Sequence, residues 1–139
     1  LLGFIIFNPY ETIEGLLQSL DLLKQLSVRD FELFLQSVRI YSGTQLHFAL
    51  YNYNLIKGQF PFFKAIYVDQ DVAQIKDLMK KISENSIKIL KSKNSKEIYF
   101  RDAMYTIVLN ALTDMINSVK IGADLNKVYD NLMLEINRI

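Results

Sequence analysis

The sequence predicts an α/β fold that is predominantly helical, with two parallel strands, or three with a short extra one, followed by a C-terminal helical region. Two units of strand, polar turn and amphipathic helix follow one another near the N-terminus, and three amphipathic stripes fill the second half. Strands joined through a helix usually lie parallel in one sheet with a right-handed connection. The two units are therefore expected to be neighbours in a barrel or a doubly wound sheet.

The first unit begins with a continuous apolar run over residues 2–7, which predicts a buried strand. Asn8-Pro9 ends it, because this pair favours a turn and proline removes a backbone donor. A helix is expected from about Thr12. Its apolar stripe consists of Ile13, Leu16, Leu17, Leu20 and Leu23.

The second unit has its strand within residues 34–41. There Gln36, Val38 and Ile40 on one face alternate with Ser37, Arg39 and Tyr41 on the other. Residues 42–44 break it, and Thr44 is expected to cap a helix over about residues 44–54. An aromatic loop is predicted over residues 59–63, around Pro61. Residues 65–68 form the short candidate third strand.

The second half, residues 69–139, is predicted to be a separate helical region after terminal βα units in residues 1–68. Asp71 with Gln74 resembles a capping pair at the start of the first of three helices. Gly122 is expected to end the second helix, and Asp124 to begin the third.

Composition excludes several functions. The chain has 139 residues, half of them hydrophobic, with 16 Lys plus Arg against 15 Asp plus Glu and a formal net charge of +1. This balance argues against nucleic-acid binding. There is no cysteine and one histidine, so neither a disulfide nor a thiolate or clustered-imidazole metal site is expected. No apolar run approaches the roughly 20 residues of a membrane helix, and a cytoplasmic protein is predicted.

The chain opens on an apolar strand without an initiator methionine, so we expect a fragment whose missing N-terminal half completes the sheet. That half would be its first partner.

Two segments, Gly-Phe-Ile-Ile-Phe-Asn-Pro-Tyr-Glu-Thr at 3–12 and Arg-Ile-Tyr-Ser-Gly-Thr-Gln-Leu at 39–46, resemble the last two strand-turn elements of radical S-adenosylmethionine enzymes, in the same order. The first keeps the proline, glutamate and threonine of the family's turn, and the second keeps the glycine, threonine and leucine. Phe7 and Tyr10 replace glycines, and Ser42 replaces a proline. The resemblance covers roughly residues 2–57, and its phenylalanine-polar-proline form is most similar to the cobalamin-associated branch.

The resemblance implies a partial TIM-like barrel and two cofactors in the parent protein, S-adenosylmethionine and a 4Fe-4S cluster, with cobalamin as a further option. The Cys-x-x-x-Cys-x-x-Cys loop that holds the cluster is absent from this chain. Ile5 and Phe7 would contact the adenine ring, the backbone of Ile40 and Tyr41 would bond its edge, and Arg39 would hold a carboxylate or phosphate. No residue here is a candidate acid, base, nucleophile or metal ligand, so the chain alone is expected to be inert. The substrate, a small molecule or peptide, is not encoded.

Most of these residues also have a purely structural interpretation. Apolar strand residues usually belong to the core, and an arginine on a strand often forms an ion pair. Glu11 is expected to fix its turn and not to act in catalysis, and His47 receives no function. An aromatic cluster either lines a substrate entrance or covers the open end of the barrel; it consists of Phe60, Phe62, Phe63 and Tyr67.

Two other functions remain open. The three C-terminal stripes could form a non-catalytic module that docks onto another protein, with the strands as support. The chain could also end another parallel α/β enzyme, such as a TIM-barrel aldolase or amidohydrolase. The last option lacks lysine, histidine or paired carboxylates at the strand ends.

Overall fold

The structure, a computed structural model, describes residues 5–93 and 96–139. Within these ranges no helix is both long enough and apolar enough to cross a membrane. The elements, in chain order, are α1 (Ile13–Gln25), a 3₁₀ helix (Phe31–Phe34), α2 (Gln45–Asn52), β1 (Ile56–Lys57), β2 (Lys64–Ala65), α3 (Gln70–Ser92), α4 (Glu97–Lys120) and α5 (Leu125–Asn137).

Short polar side chains begin four of the helices, because they satisfy backbone N–H groups that lack a partner in the first turn. The Thr12 Oγ1 accepts from the Gly15 N at 3.0 Å, and the Thr44 Oγ1 accepts from the His47 N at 3.2 Å. Asp124 caps α5. The predicted starts at Thr12, Thr44 and Asp124 are confirmed.

The predicted cap at Asp71 is wrong. Asp69 begins α3 instead, since its carboxylate accepts from the backbone N of Asp71 at 2.9 Å and of Val72 at 3.2 Å. Asp71 lies in the first turn, where a negative charge is still favourable. The end of α4 is as expected, with Gly122 just beyond it at φ +74°.

One hydrophobic core connects the described elements. Helices α3, α4 and α5 pack against one another, and α1 and the 3₁₀ helix close the core from the N-terminal side. The fully buried side chains of this core include Phe7, Leu16, Leu20, Phe34, Ile75, Met79, Ile82, Met104, Leu112 and Ile116.

The predicted α/β fold with parallel strands of a TIM-like barrel is wrong. The described residues are mostly helical, and their one sheet is the antiparallel pair of β1 and β2. The first predicted strand is reduced to Phe7, which forms a single parallel bridge with Ser37, and residues 2–4 lie outside the described ranges. A strand needs a neighbouring segment that pairs with its backbone, and here Ser37 alone forms a bridge with it.

The second predicted strand fails at its start because residues 31–34 form the 3₁₀ helix. The Asp30 carboxylate accepts from the Glu32 N at 3.1 Å and caps this turn. Phe31 and Phe34, three residues apart, are then both buried on one face. An alternating pattern puts such residues on opposite faces, so the helical spacing wins over the strand.

The short third strand exists but differs from the prediction. It occupies residues 64–65 and pairs antiparallel with β1, with Ile56 opposite Ala65. The aromatic segment 59–63 is the loop of this hairpin, as predicted. Tertiary hydrogen bonds hold the hairpin and its flanks, including Ile66 N to Leu55 O at 2.7 Å and Val68 N to Pro9 O at 3.0 Å.

Candidate functional site

A cleft of about 890 Å³ opens between the segment 35–41, the β1–β2 hairpin and one face of α3. Small-molecule sites in proteins typically have volumes of roughly 300–1,000 Å³. The size of the cleft is therefore within the range of small-molecule sites.

The first wall is the extended segment that follows the parallel bridge. The Phe7 N donates to the Gln36 O at 3.0 Å, and the Val38 N donates to the Phe7 O at 3.3 Å. These two bonds fix where the segment leaves the core. From there Arg39 and Tyr41 are exposed on the cleft side, and Ile40 between them is buried.

The second wall is the hairpin loop. Gly58 has φ +89°, and a Cβ at this position would run into the carbonyl oxygen of Phe62. Glycine therefore permits both the backbone conformation and the close approach of the two loop ends. The Phe63 ring lies 4.8 Å from the His47 ring, between centroids, so the loop also rests on α2.

Tyr67 and α3 form the base. The Tyr67 hydroxyl donates to the Phe7 O at 2.9 Å, and the Lys76 Nζ lies 4.8 Å from the centroid of the Tyr67 ring. The same Nζ pairs with the Asp77 carboxylate at 3.3 Å. Burial, and secondarily the charge of Asp77, raise the pKa of Tyr67 to about 12. The phenol is thus a protonated donor at neutral pH and not a base.

The sequence-predicted cofactor residues separate into two groups. Arg39, Ile40 and Tyr41 line the cleft together. Phe7 is fully buried in the core, and Ile5 is 41 % exposed, and neither lines the cleft. The structure therefore brings together the three residues of the second motif and places those of the first motif elsewhere.

Two other conspicuous polar residues hold turns. The Glu11 Oε1 accepts from the Thr12 N at 3.1 Å, and its Oε2 accepts from the Asn8 Nδ2 at 3.1 Å, so its carboxylate fixes the turn before α1. The His47 Nδ1 accepts from the Gly43 N at 3.1 Å and fixes the turn before α2. Both are structural roles, as the sequence suggested.

The four lysines of the cleft, Lys57, Lys64, Lys76 and Lys80, were not among the predicted site residues. A signal for two of them exists: residues 33–68 contain no Asp or Glu, and the Lys and Arg residues of this stretch are Arg39, Lys57 and Lys64. The helical lysines carry no such signal, because a lysine on an amphipathic helix is usually solvated.

The donor set of the chain does not fit an iron-sulfur cluster. The sequence has no cysteine, and across the described ranges no three His, Asp or Glu side chains gather as metal ligands. The cleft offers cations, hydrogen-bond donors and aromatic rings, which bind and orient a ligand but do not by themselves transfer electrons.

No protein-family model matches the chain, and neither a curated protein nor a solved structure matches it significantly.

Proposed function

We propose that this chain is the C-terminal part of a radical S-adenosylmethionine enzyme of the cytoplasm, to which it contributes part of the cofactor and substrate pocket. The observation that supports this is the parallel bridge between Phe7 and Ser37. It joins Phe7, in the first segment of the resemblance, to Ser37, which lies two residues before the second segment, and each segment leads into a helix. The described residues do not form the partial TIM-like barrel that the resemblance implies, so the proposal is limited to the pocket.

The residues of the second motif supply the contacts in this proposal. The Arg39 guanidinium is exposed on the cleft and would form a bidentate pair with a carboxylate, such as that of S-adenosylmethionine. The backbone of Ile40 and Tyr41 would bond the adenine edge. Ile5 and Phe7 lie outside the cleft, and Phe7 would act by holding the first wall in place through its hydrogen bonds to residues 36–38.

The remaining chemistry would come from outside this sequence. The 4Fe-4S cluster needs three cysteines on a Cys-x-x-x-Cys-x-x-Cys loop, and the chain has none. The cluster supplies the electron that cleaves S-adenosylmethionine, and this chain would bind and orient. The phenylalanine-polar-proline turn is the feature of the resemblance that favours cobalamin as a further cofactor.

The experiment begins with the coding sequence upstream of Leu1. We expect it to encode a Cys-x-x-x-Cys-x-x-Cys loop in one reading frame with this chain. The full protein, reconstituted anaerobically with iron and sulfide and reduced with dithionite, should then cleave S-adenosylmethionine to methionine and a 5′-deoxyadenosyl radical, which takes a hydrogen atom from substrate or medium and is recovered as 5′-deoxyadenosine. A start codon close to Leu1 with no such loop contradicts the proposal.

The role of the cleft is tested in the same full protein. We expect Arg39→Gln to raise KM for S-adenosylmethionine roughly tenfold, the size of one charge-assisted contact. Lys127→Gln is the matched control, since Lys127 is an exposed cation on α5 that does not line the cleft. Equal KM values for the two variants would remove Arg39 from the site.

The alternative, a helical docking module, has less support. Docking through α3, α4 and α5 needs their apolar stripes at the surface, and these stripes are buried in the shared core. Gel filtration of the chain with candidate partner proteins tests this alternative. It favours the docking module only if a partner binds and still binds after substitutions in the cleft.

A further inference from the structure

Positive charge is concentrated in the cleft, although the whole chain is almost neutral. Residues 33–68 lack acidic residues, and their three Lys and Arg residues all line this cleft, Arg39 from the extended segment and Lys57 and Lys64 from opposite positions of the hairpin. Helix α3 adds Lys76 and Lys80 on the facing side. Five cations thus face two carboxylates, Asp77 and Glu84, in a chain with a formal net charge of +1.

Protein carboxylates balance little of this charge. Lys76 pairs with Asp77 at 3.3 Å. Within the described ranges, Arg39, Lys57, Lys64 and Lys80 form no ion pair. Cations gathered in a concave site raise the local concentration of anions, most strongly of those with several charges.

The cleft also presents flat apolar surface. Phe62 is 80 % exposed and Tyr41 is 63 % exposed, and both line it beside the cations. Exposed aromatic rings provide stacking surfaces for planar groups. A ligand that satisfies both features has a multiply charged anionic part and a flat ring.

We propose that the cleft binds a small phosphorylated molecule with a planar ring, of the nucleoside diphosphate class. The phosphates would lie against the cations of the hairpin and α3, with Arg39 able to bind two oxygens at once. The ring would lie against Phe62 or Tyr41. This inference rests on the charges and rings of the cleft, and it assigns the cleft a different ligand from the S-adenosylmethionine of the proposed function, so the two are alternatives for this one site.

Titration calorimetry on the chain at low salt tests the inference with four probes: ADP, adenosine, pyrophosphate and S-adenosylmethionine. We expect ADP to bind at least roughly tenfold more tightly than each of the others, because only ADP combines several negative charges with a ring. Raising the salt concentration should weaken the binding of ADP and leave the binding of adenosine unchanged. Amide shifts in NMR spectra should map ADP to the cleft.

Matched variants locate the site. The double variant Lys57→Gln/Lys64→Gln should weaken the binding of ADP roughly tenfold. The double variant Lys24→Gln/Lys127→Gln makes the same change in charge away from the cleft and should have no effect on ADP binding. Phe62→Ala should weaken ADP about fivefold by removing a stacking surface. All of these side chains are exposed, and an unchanged thermal transition verifies folding.

Several results would overturn the inference. If ADP bound no more tightly than adenosine, the phosphate charges would contribute nothing to binding. If pyrophosphate bound as tightly as ADP, the ring would contribute nothing. A preference for S-adenosylmethionine would assign the site to the proposed cofactor instead. Equal losses in the cleft and control pairs, or displacement of ADP by anionic vesicles or RNA at lower concentrations, would replace a small-molecule site by nonspecific charge attraction.

Discussion

Residues 69–139 and residues 5–68 differ in how far they bury their apolar side chains. The later part forms three long helices whose stripes are buried together, whereas the extended and loop segments of the earlier part expose Tyr41, Phe60 and Phe62. A helix bonds its own backbone and needs only one face covered, but an extended segment depends on a neighbour for both backbone and side chains. The contrast predicts that stability resides in the helical part and ligand binding in the other.

The largest expected effect is the loss of a core side chain from the helical part. Leu112 of α4 is fully buried, so Leu112→Ala should lower the free energy of unfolding by about 3 kcal/mol through lost burial and a cavity. Urea unfolding measures this. The matched control Leu134→Ala, at a position 58 % exposed on α5, should cost less than about 1 kcal/mol.

The comparison needs a control in the cleft as well. Phe62→Ala removes a larger side chain, yet it should change stability by less than about 0.5 kcal/mol because the ring is at the surface. If Phe62→Ala destabilised as much as Leu112→Ala, the aromatic loop would belong to the core and the division between the two regions would be wrong.

The next effect concerns the hairpin. Gly58→Ala should destabilise by about 2 kcal/mol, since φ +89° is unfavourable for alanine and the added Cβ meets the Phe62 carbonyl oxygen. Gly43→Ala separates the two causes: Gly43 has φ +82° but open space around it, so about 1 kcal/mol is expected. Equal costs would show that the close approach to Phe62 contributes nothing.

A smaller effect links the two regions through Tyr67, whose pKa is raised to about 12. The folded state binds this proton more tightly than the unfolded chain, so the contribution is fully present below about pH 10 and is lost as the pH rises toward about 12. Wild-type stability should therefore fall by about 1–2 kcal/mol across this range because of Tyr67.

Tyr67→Phe isolates that contribution. It removes the hydroxyl that donates to the Phe7 O and should cost about 1 kcal/mol at neutral pH. Urea unfolding at about pH 9 and about pH 11 should then show a smaller drop than wild type. Identical pH slopes in the two proteins would contradict the role of burial at this phenol.

The helices could be predicted from sequence because their signals are local. Thr12, Thr44 and Asp124 each precede an apolar stripe, and a cap and a stripe together specify a helix without distant information. Residues 34–41 show the opposite case. Their alternation matches a strand, but only Ser37 finds a bridging partner, and Asp30 caps a 3₁₀ helix over residues 31–34 that takes up the start of the predicted strand.

The candidate site was predictable in part for the same reason. Arg39, Ile40 and Tyr41 stand together in one motif, and they lie together in the cleft. Lys57 and Lys64 face each other across the hairpin, and Lys80 reaches the same cleft from α3, so tertiary packing is needed to bring the hairpin, α3 and Arg39 to one surface. The acid-free stretch over residues 33–68 was visible in the sequence, but its meaning depends on the three cations sharing one surface.

The smallest expected effect is a gain of stability inside the helical part. Ser86 is fully buried on α3, and its Oγ has no hydrogen-bond partner within the described part of the chain. A buried hydroxyl without a partner costs free energy, and alanine also has the higher helix propensity. Ser86→Ala should therefore raise the free energy of unfolding by about 1 kcal/mol, measured in urea. Ser92→Ala is the matched control, since the Ser92 Oγ donates to the Ile89 O at 2.6 Å at the exposed end of the same helix, and no gain is expected there. A loss of stability in Ser86→Ala would mean that this hydroxyl has a partner, and that the core of the helical part is less purely apolar than its contrast with the cleft region requires.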